Sequence, residues 1–263
     1  MFETVRNAFK LKEIRSRIIY TLLMLVVVRI GTQLPIPGVN GSYFSEWFSG
    51  NSGSAFGFFD AITGGSFEKM SVFALNITPY ITSSIIIQLL TIAIPKLEEL
   101  QKDGEEGRKK MTAITRYLTV ALALMESLAM AIGFGRSGLL IKFNALNVIT
   151  AVVTLTAGST VIMWIGERIT ENGVGNGISI VLTINIISRI PQDLTLLFEQ
   201  FVKGKEIAFQ VLNLAIIIAI IIIVTVLTVA LQGAERRIPV QYSRKVQGRK
   251  QVGGQTSHIP LKV

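Results

Sequence analysis

The sequence predicts an all-α protein, a polytopic bundle of six transmembrane helices. Three observations carry this. Five apolar stretches, at 18–34, 71–94, 112–132, 148–165 and 211–231, are each close to the roughly 20 residues that cross about 30 Å of hydrocarbon. A sixth, at 178–187, is shorter and stops at Arg189-Ile190-Pro191. Charged residues make up only 16% of the 263 and gather between the stretches, which is the pattern of a membrane protein and not of one large soluble core.

Charge decides the short stretch. The net charge of +9 fits either a nucleic-acid-binding face or the positive-inside bias of membrane proteins. The basic residues flank apolar runs, which favours the second. Six spans with the amino terminus inside place nineteen of the 26 Lys and Arg on the inner side and six outside, with Arg29 inside span one. If 178–187 did not cross, the split would be 15 to 10. The bias therefore selects six spans and two cytoplasmic termini. This divides the chain into a cytoplasmic amino-terminal segment (1–17), spans one to five (18–200), an external loop with span six (201–233) and a basic cytoplasmic segment (234–263). Span one reads as retained: Pro35-Ile36-Pro37-Gly38 stands where small residues would precede a signal-peptide cleavage site.

The external stretch 38–69 is rich in Gly and Phe yet too broken to span. Irregular backbone at membrane depth must be buried in protein or line a wet cavity. The alternative is a loop whose Phe residues rest on the headgroups, and the residues alone leave the two open. Span two is the most polar. Asn76, Tyr80, Ser83, Ser84, Gln88 and Thr91 recur along one side beside the stripe Ile77, Ile81 and Ile85, so that side is expected to meet helices or water. Pro79 is expected to free the carbonyl of Leu75. The stretch 166–177 reads as a tight Gly-rich turn; no strand precedes it and no Gly-Lys-Ser/Thr follows, so it is not a phosphate loop.

Catalysis and cofactors find no support. There is no Cys and one His, His258, which excludes disulfides, thiolate sites and multi-histidine metal sites. No Gly-x-Ser-x-Gly elbow and no paired intramembrane carboxylates occur. Away from the span ends, the ionisable groups inside spans are Arg29 and Glu126. Both lie roughly 8–9 Å inside the external ends of parallel spans at about 1.5 Å per residue, so an ion pair between them is expected.

Several local sequences together resemble the SecY family. They are Arg29-Ile30-Gly31 leading to Pro35-Ile36-Pro37-Gly38, Phe73-Ala74-Leu75-Asn76-Ile77-Thr78-Pro79-Tyr80-Ile81, Ser84-Ile85-Ile86-Ile87-Gln88-Leu89-Leu90, Gly104-Glu105-Glu106-Gly107-Arg108-Lys109-Lys110, the turn 166–177, and Gly254-Gln255-Thr256-Ser257-His258-Ile259-Pro260-Leu261-Lys262-Val263. Their order covers nearly the whole chain. The resemblance implies a protein-conducting channel of the bacterial plasma membrane, ten spans in two inverted halves, of which six are present here. It moves unfolded secretory polypeptides across and releases membrane segments into lipid. The implied pore ring is Ile77, Ile81, Ile178 and Leu182. The implied re-entrant plug is at about 56–67, with Phe56, Phe58, Phe59, Ile62, Gly64, Gly65 and Phe67. Spans two and three would form this half's side of the lateral gate. Docking loops at 95–111 and 234–263, the latter with Arg236, Arg237, Arg244, Lys245, Arg249 and Lys250, would meet the SecA motor and the ribosome. SecE and SecG are the implied companion subunits. An apolar ring grips any passing chain without reading its sequence and seals by dewetting. The competing reading is a secondary solute transporter, which needs charged or unwound-helix ligands at the midplane.

Overall fold

The computed structural model describes residues 11–51, 55–204, 207–240, 245–247, 250–252 and 257–262. The chain forms two compact units, Met1–Pro191 and Gln192–Val263.

In the first unit, α1 (Lys12–Gly31) is followed by two short helices, α2 (Gly41–Asn51) and α3 (Ala55–Thr63). Next come α4 (Thr78–Ala93), α5 (Pro95–Lys102), α6 (Gly104–Gly133), α7 (Ala145–Asn172) and α8 (Gly177–Phe201), the last running past the boundary. Helix α7 is the hub: α6 and α1 pack on it, and α4 packs on α6. The buried face of α6 is a stripe of small residues, Thr115, Thr119, Ala123, Ser127 and Ala131, at one-turn spacing. Small residues let helices approach without a hydrophobic drive from water. The hydroxyls stay satisfied: Ser127 and Thr156 meet at 3.0 Å across the α6–α7 seam.

Span two departs from the expected continuous helix. Residues 71–77 run in turns and the helix starts only at Thr78, with Pro79 in its first turn. There Pro79 interrupts nothing, because first-turn N–H groups have no helical partner. The carbonyl of Leu75 is not freed but accepts the Thr78 N–H at 3.4 Å. Pro95 then turns the chain: Ile94 is extended (φ −113°, ψ 110°), as a residue before proline prefers, and α5 leaves α4 at 106°.

Two further expectations change. The Gly-rich turn shrinks to 173–176, because α7 continues to Asn172. The short apolar stretch becomes the first part of α8, which continues through Arg189 and Pro191 to Phe201. A helix can carry Arg189 at this depth because its charge is met, as described below.

Among the described residues, four helices are long and apolar enough to cross a membrane: α6, α7, α8 and α9 (Ile207–Gln232). Counting the bent pair α4–α5 as one makes five. Helix α1 falls outside that measure because Arg15, Arg17 and Arg29 share its 20 residues. Its apolar run from Ile18 to Val28 is a sixth candidate by its place in the charge argument.

The second unit holds α9, strongly apolar and with no buried residue from Phe209 to Gln232, and short strands that the helical expectation did not include. Strand β1 (Glu235–Val240) pairs antiparallel with β4 (Ser257–Lys262), and β2 (Lys245–Gln247) with β3 (Lys250–Val252).

Candidate functional site

The four residues of the expected ring lie in one apolar cluster. Ile77 is fully buried among Val28, Phe73, Ile162, Ile165 and Val181, and half-buried Ile81, Ile178 and Leu182 pack against the same group. Ile77 and Ile81 lie one turn apart at the start of α4, and Ile178 and Leu182 one turn apart at the start of α8, so each pair shares a helix face.

Residue Asn76, beside Ile77, organises what surrounds it. Its backbone is left-handed (φ 51°), a conformation that Asn tolerates better than most residues. This lets the chain break into turns before Thr78. Its Nδ2 donates to the carbonyl of Ile62 (3.3 Å), and its Oδ1 accepts from Asn185 Nδ2 (3.2 Å). Its carbonyl accepts from Ser159 Oγ (3.1 Å). One buried amide thereby joins the external segment, α7 and α8. Gly158 makes the crossing possible: a Cβ there would stand 1.9 Å from the Val72 carbonyl oxygen.

The stretch 38–69, expected on the external side, is packed into protein. Phe44, Phe48 and Phe67 are buried, and Phe67 meets Phe44, Phe48 and Phe59 edge-on at 5.1–6.2 Å. Of the residues expected in the plug, Phe67 is buried, Phe59 and Ile62 are half-buried, Gly64 and Gly65 have positive φ, and Phe58 is 73% exposed. Phe56 lies on α3. Buried Ser66 donates to the carbonyls of Thr63 (2.9 Å) and Phe73 (3.1 Å), which ties the segment to the start of span two.

Two charged residues not singled out from the sequence hold the segment to α8. Asp60, fully buried, pairs with Arg189, whose side chain is 10% exposed. Glu68 lies 3.5 Å from the same guanidinium. Arg189 had read as an external-loop charge. The signal available was its four-residue spacing from Asn185, which puts two polar groups on one helix face.

The expected Arg29–Glu126 pair does not form. Arg29 sits on α1, which packs on α7, whereas Glu126 sits on α6 and lines a cleft of about 400 Å³ with Phe59, Phe67, Leu75, Ala129, Met130 and Phe134. The Nη1 of Arg29 is buried without a hydrogen-bond partner among the described residues. Equal depth placed the two charges at one level but on helices that do not face each other.

Of the basic docking residues, Arg236 and Arg237 are exposed on β1, opposite Leu261 and Pro260. Lys245 and Lys250 open β2 and β3, while Arg244 and Arg249 lie outside the described residues. At the 95–111 stretch, α5 has no buried residue, Leu97 and Leu100 being half-buried, and it carries the pair Glu98–Lys102 at 2.6 Å.

With this geometry in place, the likenesses to known proteins become specific. The structure described as that of a protein conducting channel matches with a TM-score of 0.55 at 19% identity, covering 94% of this chain and 52% of that one. Sec61 in the canine ribosome-channel complex matches at 0.54 and 18%, covering 86% and 49%. The class is therefore a multi-span helical membrane protein with the fold of protein-conducting channels. The family model for SecY matches residues 71–263. The protein translocase subunit SecY of Halalkalibacterium halodurans is 39% identical over 268 residues, and that of Streptomyces scabiei 41% over 277; each match covers 100% of this chain and 62% of the relative. That of Pseudomonas aeruginosa is 40% identical over 253 residues, covering 96% and 57%. The chain belongs to the SecY family, and it spans about 62% of the length of the first two relatives.

Proposed function

We propose that the chain forms one side of a channel that carries unfolded polypeptides across the bacterial plasma membrane and releases apolar segments into lipid. The single observation that supports this best is the apolar cluster of Ile77, Ile81, Ile178 and Leu182, with the external segment hydrogen-bonded at Ile62 to the residue next to Ile77. An apolar constriction holds a moving chain without a preferred sequence and closes by dewetting. The segment at 56–67 acts as the plug of that constriction. The remaining spans complete the ring, with SecE and SecG as companion subunits. The two termini face the cytoplasm, where α5 and the basic segment 234–263 dock the SecA motor and the ribosome. Basic residues there suit an anionic RNA surface or acidic protein partner. The likenesses are to translocase subunits and protein-conducting channels, which favours the channel over the solute-transporter reading.

The absence of Cys from the chain allows a direct test. A secretory precursor carrying one cysteine is stalled in transit through the assembled channel. It is expected to form disulfides with channels carrying Ile81→Cys or Leu182→Cys, and not with Val226→Cys on exposed α9. Equal crosslinking at all three positions would reject the ring.

A further inference from the structure

We propose that Asp60, Glu68 and Arg189 form an electrostatic latch that holds the external segment against α8 in the closed channel, and that opening requires this latch to break. The inference rests on reading the segment as the plug.

The geometry is that of a clasp. Asp60 lies near the end of α3, and its Oδ1 accepts the backbone N–H of Glu68 at 2.8 Å, closing the segment into a loop. Its carbonyl accepts from Thr63 Oγ1 (3.1 Å) and from the Gly65 N–H (3.2 Å). The other carboxylate oxygen of Asp60 meets Arg189 Nη1, and Arg189 Nη2 lies 3.5 Å from Glu68. One guanidinium therefore reaches both ends of the loop. One turn earlier on the same face of α8, Asn185 binds Asn76, which binds the Ile62 carbonyl. The backbones also close up there: Gly64 has φ +69°, and a Cβ on it would stand 2.6 Å from the Asn185 carbonyl oxygen. The segment is thus seated on the Asn185–Arg189 face by charge, amide and backbone contact together.

A buried ion pair is poor glue but a good selector. It adds little net stability relative to apolar packing, yet removing one partner leaves an uncompensated charge. Its attraction falls steeply once water enters, because the effective dielectric rises. Such a contact favours two states, docked or released, over partial displacement. Arg189 also faces two carboxylates, so its loss leaves like charges together, whereas loss of the Asp60 charge leaves Arg189 still balanced by Glu68.

The test uses the assembled channel in proteoliposomes, with Ser66→Cys as the sole cysteine. Ser66 is fully buried, so its thiol reports release of the segment to an impermeant maleimide added outside. Arg189→Gln is expected to raise the labelling rate about 10- to 100-fold, the range for losing a charge-assisted hydrogen bond. Asp60→Asn should raise it less. The double variant should not exceed Arg189→Gln, because it removes both partners. Arg189→Lys, which keeps the charge, should stay closer to the parent than Arg189→Gln. Resting leak of a small anion should rise in the same order. Unchanged labelling in both single variants overturns the latch, as does a double variant equal to the product of the singles. Raised labelling with an unchanged leak supports the latch and rejects the plug reading. If Arg189→Gln does not assemble, Asp60→Asn and Arg189→Lys decide the matter on the same readout.

Discussion

Replacing Asn76 tests how one residue ties the external segment to two helices. Asn76→Gly removes the bonds to the Ile62 carbonyl (3.3 Å) and from Asn185 Nδ2 (3.2 Å) but keeps a backbone at ease with φ 51°. Both partners lie in protein, and each orphaned group costs about 1–3 kcal/mol. The long distances favour the lower end, giving about 2–3 kcal/mol in all. Asn76→Ala loses the same bonds and adds the left-handed penalty of a Cβ, about 1–2 kcal/mol. At about 2–4 °C per kcal/mol for a domain of this size, Gly should lower the melting temperature by about 4–12 °C and Ala by about a further 2–8 °C. The assay is thermal unfolding of the purified chain in detergent, followed by tryptophan fluorescence with Trp164→Phe as the background, so that the signal is that of Trp47, which packs against Phe134. An Ala variant as stable as the Gly variant would refute the backbone argument. Two variants melting with the parent would refute the hydrogen-bond argument.

Other perturbations follow from the same structure. Gly158→Ala places a Cβ 1.9 Å from the Val72 carbonyl oxygen; it should destabilise the chain by about 1–3 kcal/mol, in the range of overpacked cores, read in the same melt. Because Arg29 and Glu126 do not pair, Arg29→Met and Glu126→Gln should be additive within about 0.5 kcal/mol, and a larger coupling in the double variant would reveal a contact. Arg249→Glu with Lys250→Glu should weaken binding to ribosomes or the motor while leaving membrane insertion intact. Binding by the parent should also fall as salt rises, since screening shortens to about 3 Å at 1 M. Unchanged affinity of the double variant at low salt would remove these residues from the docking surface.

Hydropathy and charge located the helices well, because a long apolar run has few other uses. They misjudged what happens where polar residues interrupt a run. Span two looked continuous, but an Asn in the left-handed conformation and a Pro in the first turn move its helical start to Thr78. Span five looked broken at Arg189-Ile190-Pro191, but the helix continues because Asp60 and Glu68, more than a hundred residues earlier, meet the arginine. A local pattern cannot reveal a partner that only tertiary packing supplies. The same limit explains the Arg29–Glu126 expectation, since depth along parallel helices says nothing about which helices touch. The strands described between 235 and 262 fall in a stretch whose basic charge and implied docking role give no sign of strands. Its strands are short and interrupted by Pro239 and Pro260, so alternation is weak.

The most direct test of the proposed channel role is protease protection in liposomes. The chain is reconstituted with the motor, ATP and a secretory precursor, alone and beside a second chain supplying the remaining spans and companion subunits. The structure leaves Gln88 of span two exposed. Neighbours are therefore expected to complete the pore. The account predicts protected precursor at the level of a full-length channel only in the complemented liposomes. Full protection by the chain alone, or none after complementation, would contradict it.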